Sequence, residues 1–161
     1  VSISFSAGEL LNIAIDIERN GIAFYDVMAK SAENEEVRCV FQSLVDMEHQ
    51  HIQIFQDMLA EGGIYEQKKA YGGEEATYIK SLVDSIIFSD DAITGELFCR
   101  LDNDIEALEI AIGLEKDSIL FYYQIKDIVS PVQQPLLDRI IAEEKAHLRD
   151  LSGIKRQLMA E

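Results

Sequence analysis

The stretch MEHQHIQIF, residues 47–55, sets two histidines and a glutamate inside an apolar helical pattern formed with Leu44, Val45, Ile52 and Phe55. Helix positions three and four apart share a face, so Glu48 and His51 lie together on the side this pattern buries. A carboxylate removed from water without a partner costs several kcal/mol or gives up its charge. A cation is the most economical partner for such a face.

The same pattern recurs. MEHQH aligns with EEKAH, residues 143–147, so that Glu48-x-x-His51 matches Glu144-x-x-His147 at an offset of 96. Upstream of each motif, IERNGIAFY (17–25) aligns with LEKDSILFY (114–122) at an offset of 97, which pairs Glu18 with Glu115 and Phe24-Tyr25 with Phe121-Tyr122. The chain reads as two related halves about a pseudo-twofold axis.

Apolar residues recur at three and four over long stretches, and Pro occurs only at 131 and 135, so the periodicity predicts helices throughout. The first starts after Ser6, where S-A-G-E offers a Ser6/Glu9 capping box, and runs to about Ala32. The second begins near Asn34 and stops at Gly62-Gly63. The third follows Asn103 and reaches about Val129; Ser130-Pro131 then serve as cap and first residue of the fourth, which runs almost to the end. Between the pairs, residues 62–102 form a glycine-punctuated crossover with short helices near 74–88 and 90–99. Two hairpins, 6–61 and 103–160, joined by one long connection make an all-α four-helix bundle, which we read as a single domain over 1–161.

Residues equidistant from the turn of an antiparallel hairpin lie level. The midpoint of Glu18 and Glu48 is residue 33, and that of Glu115 and Glu144 falls between 129 and 130; both coincide with the predicted turns. Each glutamate has apolar neighbours three or four away: Ile15 and Ile22, Leu44 and Ile52, Ile112 and Ile119, Ile140 and Leu148. Four carboxylates thus converge in one core layer, where they would repel and protonate unless two divalent ions, aided by two neutral imidazoles, neutralise them. Glu18, Glu48, His51, Glu115, Glu144 and His147 are the expected metal ligands.

Other residues near this layer carry less. His49 points about 100° away from Glu48 around the helix and aligns with Lys145 in the repeat, so it is expected as a surface or packing residue and not as a ligand. Tyr25 and Tyr122 follow Glu18 and Glu115 by seven residues on the same faces, either as core aromatics or as donors to the ligating carboxylates. Oxygen-rich ligands with one nitrogen per ion suit iron first, with manganese or zinc as substitutes.

Composition sets the boundaries. A formal charge of −16 argues against nucleic acid and anionic membranes. No apolar run approaches the roughly 20 residues that span a bilayer, and VSISFSAGELL lacks the pattern of a signal peptide, so a cytoplasmic location is expected. Cys39 and Cys99, without a CxxC pair, are expected to be buried free thiols.

The set E, ExxH, E, ExxH over four helices resembles the ferritin-like di-iron superfamily, and the paired E-x5-FY segments resemble its rubrerythrin branch over about 6–158. The resemblance implies a di-iron centre on the six residues named above, in a cytoplasmic protein, expected as a homodimer, that reduces hydrogen peroxide or dioxygen. It also implies a further ligand glutamate where Ser118 stands, and an appended rubredoxin domain for which this sequence has no paired cysteines. Electrons are therefore expected from a separate rubredoxin-like donor. The alternatives are a ferroxidase or iron-binding protein, disfavoured because only 14 residues follow His147, an oxygenase, and a non-catalytic metal-bound interaction module.

Overall fold

The computed structural model describes residues 4–62, 71–86 and 103–160. Ser6 takes an extended backbone and starts the first helix, α1 (Ala7–Ser31), through a full capping box. Glu9 N–H donates to Ser6 Oγ at 3.2 Å while Ser6 N–H donates to Glu9 Oε2 at 2.8 Å, so two otherwise orphaned donors are satisfied. Asn34 Oδ1 accepts from Glu36 N and Val37 N at 2.8 and 3.2 Å, opening α2 (Glu35–Gly62). Asn103 caps α4 (Asp104–Ile125) by accepting from Glu106 N at 3.0 Å.

The second turn differs from the sequence expectation. Helix α4 ends at Ile125, short of Val129, and α5 (Gln134–Leu158) begins after Pro131. Ser130 does not cap α5; its carbonyl accepts from Gln133 N and Gln134 N and closes a separate turn. Pro135, in the first turn of α5, is the proline that enters the helix, where its missing N–H costs nothing. Both helices retreat by similar amounts, so the turn stays centred between 129 and 130 and the level of Glu115 and Glu144 is unchanged.

From the crossover, α3 (Gly73–Ile86) matches the expected helix near 74–88, whereas the helix expected over 90–99 lies outside the described residues. Gly73, at φ +66°, makes the left-handed step that leads from a two-residue strand, β2 (Tyr71–Gly72), into α3. That strand pairs antiparallel with β1 (Ser4–Phe5), tying the crossover to the chain's first described residues.

Around the bundle, α1 packs on α2 and α4, and α5 packs on α2 and α4, so the two ExxH helices stand side by side opposite the pair α1/α4. The core falls into two apolar clusters. One, around Leu10, Phe55, Phe121 and Leu137, is covered by Ile79, Leu82 and Ile86 of α3; the other gathers Phe24, Met28, Phe41, Leu108 and Leu151. Between them lies a polar layer. No described helix is long and apolar enough to cross a membrane.

Cys39 is exposed, contrary to expectation. Val37 and Phe41, four apart, define the buried face there, and position 39 is about 200° from both. Cys99 lies outside the described residues.

Candidate metal centre

The polar layer consists of the six residues that the repeat singles out. Glu18, Glu48, Glu115 and Glu144 are at most 3% exposed, His51 is fully buried and His147 is 8% exposed. They form two groups, Glu18, Glu48, His51 and Glu144, and Glu48, Glu115, Glu144 and His147; in each, one ligand atom per residue lies within 4.8 Å of the others. Glu48 and Glu144 belong to both. Such an arrangement could hold two cations, with Glu48 and Glu144 within reach of both and one further glutamate and one imidazole for each.

Each helix register explains its contribution. The i, i+3 spacing on α2 brings His51 Nδ1 to 2.8 Å from Glu48 Oε2, and on α5 it brings His147 Nδ1 to 3.1 Å from Glu144 Oε2. Across the bundle, His51 Nδ1 stands 3.0 Å from Glu144 Oε1 and 3.6 Å from Glu18 Oε1, while His147 Nδ1 stands 3.5 Å from Glu115 Oε2. The two imidazole rings stack with centroids 5.9 Å apart.

The tyrosines are donors as well as core aromatics. Tyr25 Oη on α1 donates to Glu115 Oε1 on α4 at 2.5 Å, and Tyr122 Oη on α4 donates to Glu18 Oε1 on α1. Each helix of the pair therefore holds the other's glutamate. Both rings are buried, Tyr25 stacked on Phe41 and Tyr122 tilted against Phe55. Burial and the neighbouring carboxylates push both phenols well above their usual range, so they keep their protons and remain donors at neutral pH.

Without a cation the layer is electrostatically poor. Burial, then repulsion from Glu18 and their other acidic neighbours, pushes Glu48 and Glu144 well above the usual carboxylate range. Burial alone would lower His51 and His147, but the surrounding carboxylates outweigh it and raise both. Burial also acts to raise Glu115, but His147, Glu144 and Tyr25 together hold it lower. Glu48 Oε2, Glu115 Oε2, Glu144 Oε1 and His51 Nδ1 are buried without a hydrogen-bond partner in suitable geometry. Orphaned acceptors of this kind, three carboxylate oxygens and an imidazole nitrogen facing one another, fit divalent metal ions.

A narrow opening reaches the layer beside α1 and α4. Gly21 and Ser118, counterparts in the repeat, line it with Asn20, Ile17, Leu114 and Ile86. Its free volume of about 10 Å³ is that of roughly one water. Ser118 is buried and leaves space beside Glu115 that a longer side chain would fill.

His49 is exposed and outside the cluster, as is Lys145, whose Nζ donates to Tyr123 Oη at 2.5 Å. One residue was not singled out from the sequence: Glu143, whose Oε2 lies 2.9 Å from His51 Nε2. Its signal was the Glu143-Glu144 doublet, which puts a second acid at the rim of the buried face of α5.

The rubrerythrin family matches residues 9–155. A Thermotoga maritima protein provisionally assigned as ferritin-like and diiron-carboxylate is similar at 31% identity and a TM-score of 0.75, over 94% of this chain and 95% of that one. A two-domain Anabaena variabilis protein containing DJ-1/ThiJ/PfpI-like and ferritin-like domains is similar at a TM-score of 0.63 and 14% identity, over 98% of this chain and 39% of that one. A DUF305 fragment from Deinococcus radiodurans reaches 0.63 at 11% identity, over 94% and 95%; these two likenesses concern the fold alone. Among curated proteins, no sequence matches.

Proposed function

The chain belongs to the rubrerythrin family, and on that premise we propose that it is a non-haem di-iron oxidoreductase that reduces hydrogen peroxide or dioxygen in defence against oxidative stress. The observation that carries this reading is the pair of buried Glu/His groups sharing Glu48 and Glu144, beside an opening with room for about one water. Two ferrous ions held by these residues would supply two electrons, which with two protons would take one hydrogen peroxide to two waters. Everything else falls to the chain itself.

Glu18, Glu48, His51, Glu115, Glu144 and His147 would hold the ions, their carboxylates offsetting the cationic charge in a buried layer. Tyr25 and Tyr122 fix the orientation of Glu115 and Glu18 by donating to one oxygen of each, and on Glu115 the other, Oε2, is left facing His147. Ile17, Leu114 and Ile86 make the opening apolar at its walls, while Gly21 and Ser118 keep it open. Its free volume of about 10 Å³ favours molecules of two or three heavy atoms over organic substrates. Cys39 and Cys99 form no CxxC pair within these 161 residues, so reducing equivalents would reach the bundle from a rubredoxin-like donor outside them.

The test is peroxide consumption by iron-reconstituted protein supplied with a reductant, against metal-free protein and a Glu115→Ala variant. Turnover well above both is expected. Consumption no faster than in the metal-free control would overturn the reading, and oxidation of added ferrous iron without sustained peroxide turnover would favour a ferroxidase.

A further inference from the structure

The two imidazoles are equivalent in the repeat but not in their support. A carboxylate only accepts hydrogen bonds, so the 2.9 Å contact between His51 Nε2 and Glu143 Oε2 puts the proton on Nε2. In the neutral ring that binds a metal, Nδ1 then turns its lone pair toward Glu48 and Glu144, and it is the orphaned imidazole nitrogen of the layer. Glu143 is itself steadied from the next turn of α5, its Oε1 lying 3.3 Å from Arg139 Nε. Arg139, Glu143 and His51 thus form a relay from surface to core.

The other half has no such relay. At the offset of 96, Met47 stands where Glu143 would be and Ser43 where Arg139 would be. A thioether is a weak acceptor and cannot fix an imidazole tautomer as a carboxylate does. Every polar contact of His147 among the described residues is made through Nδ1. The glutamates do not offset this difference, because each position has one of its own and shares the other two.

We propose that the two metal positions are unequal, Glu143 making the one formed by Glu18, Glu48, His51 and Glu144 the tighter, so that it fills first. This rests on the dinuclear reading above. A carboxylate behind a ligating histidine fixes the ring, selects the tautomer and raises the basicity of the ligating nitrogen, and its loss typically costs about 10- to 100-fold in metal affinity.

Titration of the metal-free protein with cobalt(II), followed by calorimetry and visible absorption, gives the test. The expected result is two ions bound in steps separated by about 10- to 100-fold. After one equivalent, proton resonance should show a hyperfine-shifted, slowly exchanging imidazole N–H, that of His51 held by Glu143. Glu143→Leu should weaken the first step and close the gap, and Met47→Glu, at a half-buried position, should strengthen the second and close it from the other side. Two steps of equal affinity in the unaltered protein, or a Met47→Glu variant with an unchanged gap, would overturn the proposal while leaving the dinuclear centre intact. Uptake of a single ion would overturn both.

Discussion

The hairpins α1/α2 and α4/α5 hold the same ligands at the same heights, yet they turn, and are pinned, in different ways. The first reverses within residues 32–34, and Asp104 from the start of α4 holds that turn by accepting from Glu33 N and Asn34 N at 3.2 and 2.7 Å. The second spreads its reversal over 126–133, and Gln133 within it donates to Met58 O of α2 at 2.8 Å. Each turn is tied to the opposite hairpin. The ends of the bundle have diverged while the middle layer kept its symmetry, which is what four mutually dependent carboxylates demand: a change in one leaves the charge of the others uncompensated. The turns carry no such constraint.

The sharpest way to break the comparison is to remove one glutamate from each half. Glu18→Ala and Glu115→Ala should each lower iron content from two ions per chain to one or fewer, with peroxide turnover lost in parallel. Each substitution also strands a buried tyrosine hydroxyl, Tyr122 or Tyr25 respectively, which adds about 1–3 kcal/mol of destabilisation. His49→Ala, at an exposed position with no mate in the repeat, should leave both ions bound. Elemental analysis of the three folded variants decides it. Retention of two ions by either glutamate variant would break the equivalence of the halves.

A smaller effect concerns pH. In the metal-free protein, Glu48 and Glu144 are raised above their unfolded value of 4.5, and His51 and His147 above 6.5, so the native state binds more protons than the unfolded chain. Stability then falls as pH rises. The histidine contribution is complete below 6.5 and is lost upward, through the folded values. The raised carboxyls cost stability progressively above 4.5, because the native site resists giving up their protons. Glu115, shifted down, acts oppositely, but its contribution is lost only as pH falls below the carboxylate range. Bound metal displaces these protons and should flatten the dependence. Thermal melts at about pH 5.5 and about pH 8.5, with and without metal, should diverge at the higher pH. The general repulsion of a chain with net charge −16 acts on both forms and cancels in the comparison. Curves that coincide at both values would remove the coupling between the layer and stability.

The convergence of the six residues was legible in the sequence because it depends on two things a sequence records: helical period and distance from a turn. Errors at the second turn were harmless, since α4 and α5 retreated together and the midpoint did not move. Less legible was anything that depends on which helices are neighbours. Tyr25 could be placed on the face of Glu18, but its partner is Glu115, and only the packing of α1 beside α4 decides that. Glu143 was hidden for the same reason, its target being a histidine 92 positions away. Cys39 was misread because residue type outweighed register, although Val37 and Phe41 already fix the buried face there.

The smallest effects should appear at the two turn ties, and they sharpen the comparison between the ends of the bundle. Gln133 is buried at 6% exposure, so Gln133→Ala removes its bond to Met58 O where water has little access, at a cost of about 1–2 kcal/mol. Asp104→Ala frees Glu33 N and Asn34 N in a turn that water reaches, and α4 keeps Glu106 in its first turn to favour the helix dipole, so a loss nearer 0.5–1 kcal/mol is expected. Because each tie crosses between hairpins, the damage should cross as well. Gln133→Ala should speed amide exchange around Met58 in α2, and Asp104→Ala should speed it around Glu33 and Asn34, with metal content unchanged in both. Acceleration confined to the hairpin that carries the substitution would mean that the contact is present but holds nothing, and that the bundle ends are set by their own turns alone.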